Sequence, residues 1–147
     1  TLHTNDACGA PVRLVNLGVE PFLVSAVLRG VLAQRLVRRV CPQCRTSIEP
    51  DQATRSIIES IGGDPSGLVV GKGCQRCRGT GFSGRLGIFE LLVPSDEVCE
   101  AIVAEQGHKK IVEAAQAIGM ESMRTDGLRK AVQGLTTVEE VVAAAAA

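Results

Sequence analysis

Tryptophan and tyrosine are absent from the 147 residues and only three phenylalanines occur. The aromatic platforms on which single-stranded nucleic acids stack are therefore missing. An excess of one charge is missing too: sixteen Lys and Arg offset sixteen Asp and Glu. A nucleic-acid binder working through bulk electrostatics carries a basic domain instead, so no nucleic-acid partner is expected. No apolar run approaches the roughly 18 residues that a membrane-spanning helix needs, which predicts no direct membrane insertion. The chain opens on polar Thr1-Leu2-His3-Thr4-Asn5-Asp6, with no export signal and no starting Met. A fragment of a longer protein is expected to open in this way. A phosphate cradle is also lacking. The loop GxxxxGK[ST] needs a hydroxyl after its lysine to hold Mg²⁺, but Gly73 follows Lys72 and Ser66 stands where the leading glycine belongs. Gly71-Lys72-Gly73 reads instead as a flexible entry to Cys74.

What the chain does have is enough apolar material for one domain, 45% hydrophobic against 22% charged, and an unusual set of cysteines. Cys41-Pro-Gln-Cys44 and Cys74-Gln-Arg-Cys77 form two CxxC pairs separated by 29 residues. Two intervening residues let both sulfurs of a knuckle face one centre, and two knuckles complete the tetrahedron that Zn²⁺ prefers. The gap exceeds the roughly 15–20 residues of a compact ribbon, so an insert between the knuckles is expected. Four thiolates would close the coordination sphere and leave no place for an activated water, making the metal a structural clip. Two disulfides or a redox CxxC are the alternatives. Cys8 and Cys99 lack partners at ligand spacing and read as small buried hydrophobes. A nucleophilic role for either would need an activating His, and His3 and His108 are the only two.

Along the chain, Asn5 or Asp6 can cap a short helix that Gly18 stops, and Pro21 suits the first turn of a second. Residues 31–40 are ambiguous in periodicity and are read as a strand running into the first knuckle. A short helix is expected within 51–61, with Ile57, Ile58 and Ile61 on one face, then a loop over 62–67. Strands are expected at 68–70 and 85–93. Ser95, followed by Asp96 and Glu97, opens helices near 96–105, 108–118 and 122–133, with Gly119 and Gly134 as stops. Thr136-x-x-Glu139 matches a capping box for a last helix running into five alanines, whose end is expected to fray. Arg35, Arg38 and Arg39 read either as a solvated strand face or as a contact with a neighbouring subunit or a nucleotide.

Four blocks in order resemble one family over essentially the whole chain. Thr1-Leu2-His3-Thr4-Asn5-Asp6-Ala7 is similar to the histidine box of the hexameric ATPases of type II secretion and type IV pilus assembly. Leu32-Ala33-Gln34-Arg35-Leu36-Val37-Arg38-Arg39 with Cys41-Pro42-x-Cys44 resembles their entry to a tetracysteine insertion. Cys74-x-x-Cys77-x-Gly79-Thr80-Gly81-Phe82-x-Gly84-Arg85-x-Gly87-Ile88-Phe89-Glu90-Leu91 resembles the exit. Met123-x-x-Asp126-Gly127-Leu128-x-Lys130 with Gly134-x-Thr136-Thr137-x-Glu139-Glu140-Val141 resembles their terminal helices.

The resemblance implies an α/β fold, the C-terminal portion of a RecA-like P-loop ATPase core with an inserted zinc subdomain and a helical end. Residues 1–40 would finish the core, 41–80 form the tetracysteine insertion, and 81–147 supply a return strand and helices. It further implies a hexamer, cytoplasmic and peripheral to the bacterial inner membrane, working with platform proteins of the secretion or pilus machinery. His3 would approach the γ-phosphate, and Arg85 the adenine end of the nucleotide. ATP and Mg²⁺ would be bound by the complete protein only, because the Walker A loop and acidic boxes precede the histidine box in that family; this chain alone is not expected to hydrolyse ATP. The alternative is a free-standing zinc module that binds a protein partner. Cys74-Gln-Arg-Cys77-Arg-Gly79-Thr80-Gly81 fits the CxxCxGxG knuckle of DnaJ-type cochaperones, although the first pair lacks the following glycines.

Overall fold

The computed structural model describes residues 2–145. Thr1, the first residue of the histidine-box match, and the last two alanines lie outside them. The chain divides into two compact units: residues up to Gln34 with Phe89–Ser122, and Arg35–Ile88 with the chain from Met123 onward. Two long strands, β1 (Val31–Val40) and β4 (Phe82–Leu92), pair with one another and each carries the chain from one unit into the other. The strand reading of the ambiguous stretch 31–40 thus holds.

The first unit is helical. Asp6 Oδ1 accepts from the Gly9 N–H at 2.8 Å, so the acidic side chain expected near this start bonds the first residue of α1 (Gly9–Asn16), while Cys8, directly before the helix, offers no capping side chain. The helix α2 (Pro21–Val27) begins with proline, whose missing N–H costs nothing in a first turn. Beyond β4, the Ser95 hydroxyl accepts from the Val98 N–H at 3.3 Å and opens α4 (Asp96–Val103); α3 (Gln52–Glu59) belongs to the other unit. After α4 comes α5 (His108–Ala117). These helices close over Val24, Leu92, Val98, Ile102, Ile111 and Ala115, all essentially removed from water.

The second unit has two parts. Between the cysteine pairs, β2 (Arg45–Ser47) and β3 (Val69–Gly71) run antiparallel in the register Arg45↔Gly71, Thr46↔Val70, Ser47↔Val69. They flank the expected insert, in which Asp51 caps α3. Ile58 of α3 and Leu68 then pack with Leu128, Ala131, Val138 and Val141 of α6 (Met123–Val132) and α7 (Val138–Ala145). Gly127 lies inside α6, where glycine costs about 1 kcal/mol relative to alanine. A Cβ there would stand 2.6 Å from a Val141 methyl, so the close approach of α7 requires its absence. Lys130 fixes α6 by donating to the Gly87 carbonyl at 2.9 Å while pairing with Asp126.

Two details of this unit correct the sequence reading. The last helix is capped one residue later than Thr136-x-x-Glu139 predicts: the Thr137 hydroxyl accepts from the Glu140 N–H at 3.4 Å. Thr136 is buried and donates its hydroxyl to the Arg38 carbonyl at 2.8 Å. Glu140 turns to Arg38, pairing with its guanidinium at 2.5 Å and accepting from its N–H at 3.1 Å. Arg38 also lies over the Phe82 ring, 4.2 Å from the centroid. Of the basic run, Arg38 is thus a tie within the chain rather than a bare solvated charge.

The hydrogen bond from Arg38 holds the Glu140 carboxyl below the usual carboxylate range. A depressed folded value adds stability above the unfolded pKa of about 4.3 and loses it as pH falls through the folded one. Because the Arg38 side chain is 57% exposed, solvent screening limits the gain to about 1 kcal/mol or less. Glu140→Gln should therefore destabilise the second unit at pH 7 by no more than about 1 kcal/mol and make no difference below about pH 3. Urea unfolding at the two pH values measures this.

Candidate functional site

Cys41 directly follows β1 and donates its N–H to the Gly81 carbonyl at 2.9 Å. Cys44 turns back on it, N–H to the Cys41 carbonyl at 3.3 Å, and leads into β2. The second pair follows β3, whose end is tied to the first knuckle by the Lys72 N–H donating to the Cys44 carbonyl at 3.0 Å. The four sulfurs of Cys41, Cys44, Cys74 and Cys77 consequently lie within 4.8 Å of one another. Three of the separations are 3.9 Å (Cys41–Cys74), 3.8 Å (Cys44–Cys77) and 3.7 Å (Cys74–Cys77). A tetrahedron of sulfurs about 2.3 Å from a central ion has edges of about 3.8 Å. A disulfide would need about 2.05 Å. The arrangement is that of a cluster able to hold a metal ion, and the paired-disulfide alternative does not fit it.

The glycines around the cluster have a geometric purpose. The N–H groups of Cys74 and Gly81 both donate to the Cys77 sulfur, at 3.1 and 3.3 Å. Burial raises the thiols of Cys77 and Cys44 alike. For Cys77 these N–H donors more than offset it and bring the value to about 6, whereas Cys44 is pushed up to about 12. A divalent cation bound among cysteines supplies positive charge that favours thiolate ligands. Gly81 delivers its N–H from a left-handed conformation, φ +76°, with its backbone pressed against that of Gly71. A Cβ on either would overlap the carbonyl oxygen of the other. Gly71 is thus part of a tight backbone contact, and the expectation of a flexible entry at Gly71-Lys72-Gly73 is corrected.

In the first unit, His3 is exposed on irregular chain before α1 and makes no hydrogen bond among the described residues. It lines an open cavity of about 410 Å³ together with Asp6, Arg13, Asn16 and His108. The Ala7 N–H donates at 2.9 Å to Oε1 of Glu90, a carboxylate only 7% exposed. Cys8 is wholly buried, and burial, with Glu90 and Asp6 nearby, pushes its thiol up to about 12. That is the opposite of an activated nucleophile. His108 lies against Asp6 instead, Nε2 at 2.7 and 2.9 Å from the two carboxylate oxygens. In the second unit, Arg85 is exposed and forms no ion pair among the described residues, beside a shallow cavity of about 280 Å³ lined by Arg38, Thr80 and Phe82.

Glu90 and the Asp6–His108 pair are contacts that reading the sequence did not single out. Glu90 left a signal: on β4 it alternates with Ile88 and Leu92 on the buried side, and a carboxylate at an inward strand position needs a partner. The Asp6–His108 pair, 102 residues apart, left none.

Residues 1–143 match the family described as Type II/IV secretion system protein. The chain belongs to that family. A type IV pilus assembly ATPase PilB of Thermus thermophilus is 52% identical over 145 residues, 97% of this chain and 16% of that protein. A type II secretion system ATPase E of Vibrio cholerae is 45% identical over 142 residues, covering 97% of this chain and 28% of that one. The chain therefore spans less than a third of the length of these relatives. Among solved structures, the pilus retraction motor PilT with bound ADP superposes on 98% of the chain with a TM-score of 0.59 at 19% identity, using 31% of its own chain; at that identity the likeness is one of fold. The family match takes in both knuckles, so the resemblance of residues 74–81 to a cochaperone repeat is local.

Gly81→Ala should weaken metal binding by roughly ten- to a hundred-fold, the range for loss of a supporting hydrogen bond at a metal ligand. Competition with a chromophoric chelator reads this directly.

Proposed function

We propose that this chain is the C-terminal part of a motor ATPase that powers type II secretion or type IV pilus assembly. The observation that carries the reading is the 52% identity to a pilus assembly ATPase across 97% of the chain. On this reading residues 1–40 complete a RecA-like core, 41–80 are the tetracysteine insertion and 81–147 the return strand and terminal helices. Nucleotide and Mg²⁺ are bound by the complete protein, since the 147 residues contain no GxxxxGK[ST] loop. The motor works as a hexamer on the cytoplasmic side of the inner membrane, against platform proteins of the machinery. Among the described residues no helix is long and apolar enough to cross a membrane, in keeping with attachment through partners. Exposed Phe22, Leu23 and Val27 on α2 and Leu32 on β1 support burial of these faces in a larger core.

The metal is zinc. An all-sulfur donor set at tetrahedral spacing favours it, and four thiolates leave no position for substrate or an activated water. The protein's own contribution is to bring the four sulfurs together, to set two backbone N–H donors on Cys77, and to lock the knuckles through Gly71 and Gly81. The ion supplies cross-linking charge, and hydrolysis is carried elsewhere.

His3 bears on the γ-phosphate side of the nucleotide and Arg85 on its adenine end. In the complete protein, His3→Ala should lower the kcat for ATP by about a hundred-fold, the scale of removing a group that meets developing charge. Arg85→Ala should raise KM with little change in kcat, as expected when uniform binding is lost. The 147-residue chain alone should show no turnover. A complete protein that does not hydrolyse ATP, or one indifferent to His3→Ala, contradicts the reading.

A further inference from the structure

We infer that His108 is a positioning residue for the His3 segment, acting through Asp6; the inference rests on the function proposed above. The segment from Leu2 to Ala7 has no regular structure of its own. Where His3 points therefore depends on the anchors of the residues after it; Thr4 and Asn5 make contacts of their own, and three further anchors lie at Asp6 and Ala7. The Gly9 N–H on Asp6 Oδ1, 2.8 Å, is local and travels with α1. The Ala7 N–H on buried Glu90 ties the backbone to β4. The third anchor is His108, the first residue of α5, whose Nε2 reaches both oxygens of the Asp6 carboxylate. Among the described residues it is the contact that fixes the Asp6 side chain from outside its own turn, and it borders the same cavity as His3.

The geometry makes a division of labour. Asp6 needs one oxygen for the cap of α1 and offers the rest of its lone pairs to His108. With the imidazole in place the carboxylate is held from two sides, and the turn Asn5–Cys8 keeps one conformation. Without it, the Asp6 side chain retains only its local bond to Gly9, and the chain ahead of the Ala7–Glu90 tie is held less tightly. His3, three residues upstream and without a hydrogen bond among the described residues, would then be less narrowly placed. A group that must sit within about 0.5 Å of its working place loses rate when its support loosens. Ground-state binding of a nucleotide held mainly by other residues would change little.

The test uses the complete protein. Gln can place its Nε2 amide where the imidazole Nε2 stands, whereas Ala cannot. His108→Ala is expected to lower the kcat for ATP by about ten-fold with KM held within about two-fold, the pattern of a group acting only in the transition state. Amide hydrogen exchange across residues 3–9 should quicken in parallel, while α4 and the remainder of α5 keep their protection. His108→Gln should recover most of both. Unchanged exchange across 3–9 in His108→Ala overturns the inference, as does unchanged kcat where the wild type hydrolyses ATP. Should the wild type show no hydrolysis, the proposed function fails on its own, and the exchange result still decides whether His108 holds the segment.

Discussion

Convergence of four sulfurs within 4.8 Å is the constraint on which the second unit depends. The strands on either side, β2 and β3, have three residues each, and a two-stranded ribbon is marginal in water even when longer. The apolar cluster beside it is modest, centred on Ile58, Leu68, Leu128, Ala131, Val138 and Val141. What places the ribbon is the pair of knuckles, with the Gly71–Gly81 backbone contact and the two N–H donors on Cys77. If the metal is zinc, as proposed, it would contribute on the order of 10 kcal/mol to folding of the loops that bind it. That exceeds anything the exposed ion pairs of this unit supply.

Tetracysteine spacing is legible because metal ligation is a local requirement: two residues between sulfurs, repeated once. The helix starts near Asp6, Pro21 and Ser95 are legible for the same reason, each being a side chain or ring acting on its own first turn. Errors arise where two segments meet. Thr136 reads as a cap, yet the carbonyl of Arg38 competes for its hydroxyl and the cap moves to Thr137. Gly71 reads as slack in a loop, yet Gly81 lies against it. Glu90 is half-legible, a charge on the buried face of β4. Asp6–His108 is not, because nothing local in residue 6 or residue 108 announces a pairing across 102 residues.

Each unit handles a functional group in its own way. The four-cysteine cluster is closed: its sulfurs lie within 4.8 Å of one another and Cys77 accepts from two backbone N–H groups, which suits a clip and not a reaction centre. The His3 segment is the reverse. Its histidine is left without a hydrogen bond among the described residues, while the residues behind it are bound to Gly9, Glu90 and His108. Rigid support beneath an unengaged side chain is the arrangement expected where a ligand completes the site. The proposed motor function needs both, a stable insertion and a histidine held ready.

The most direct test of this account is amide hydrogen exchange before and after stripping the metal with a strong chelator. Residues 41–47 and 69–82 should lose protection together, at least ten-fold in rate, while α4 and α5 of the first unit keep theirs. Protection across 41–47 and 69–82 that survives complete metal removal would show that packing alone holds the knuckles, and the central claim would fail.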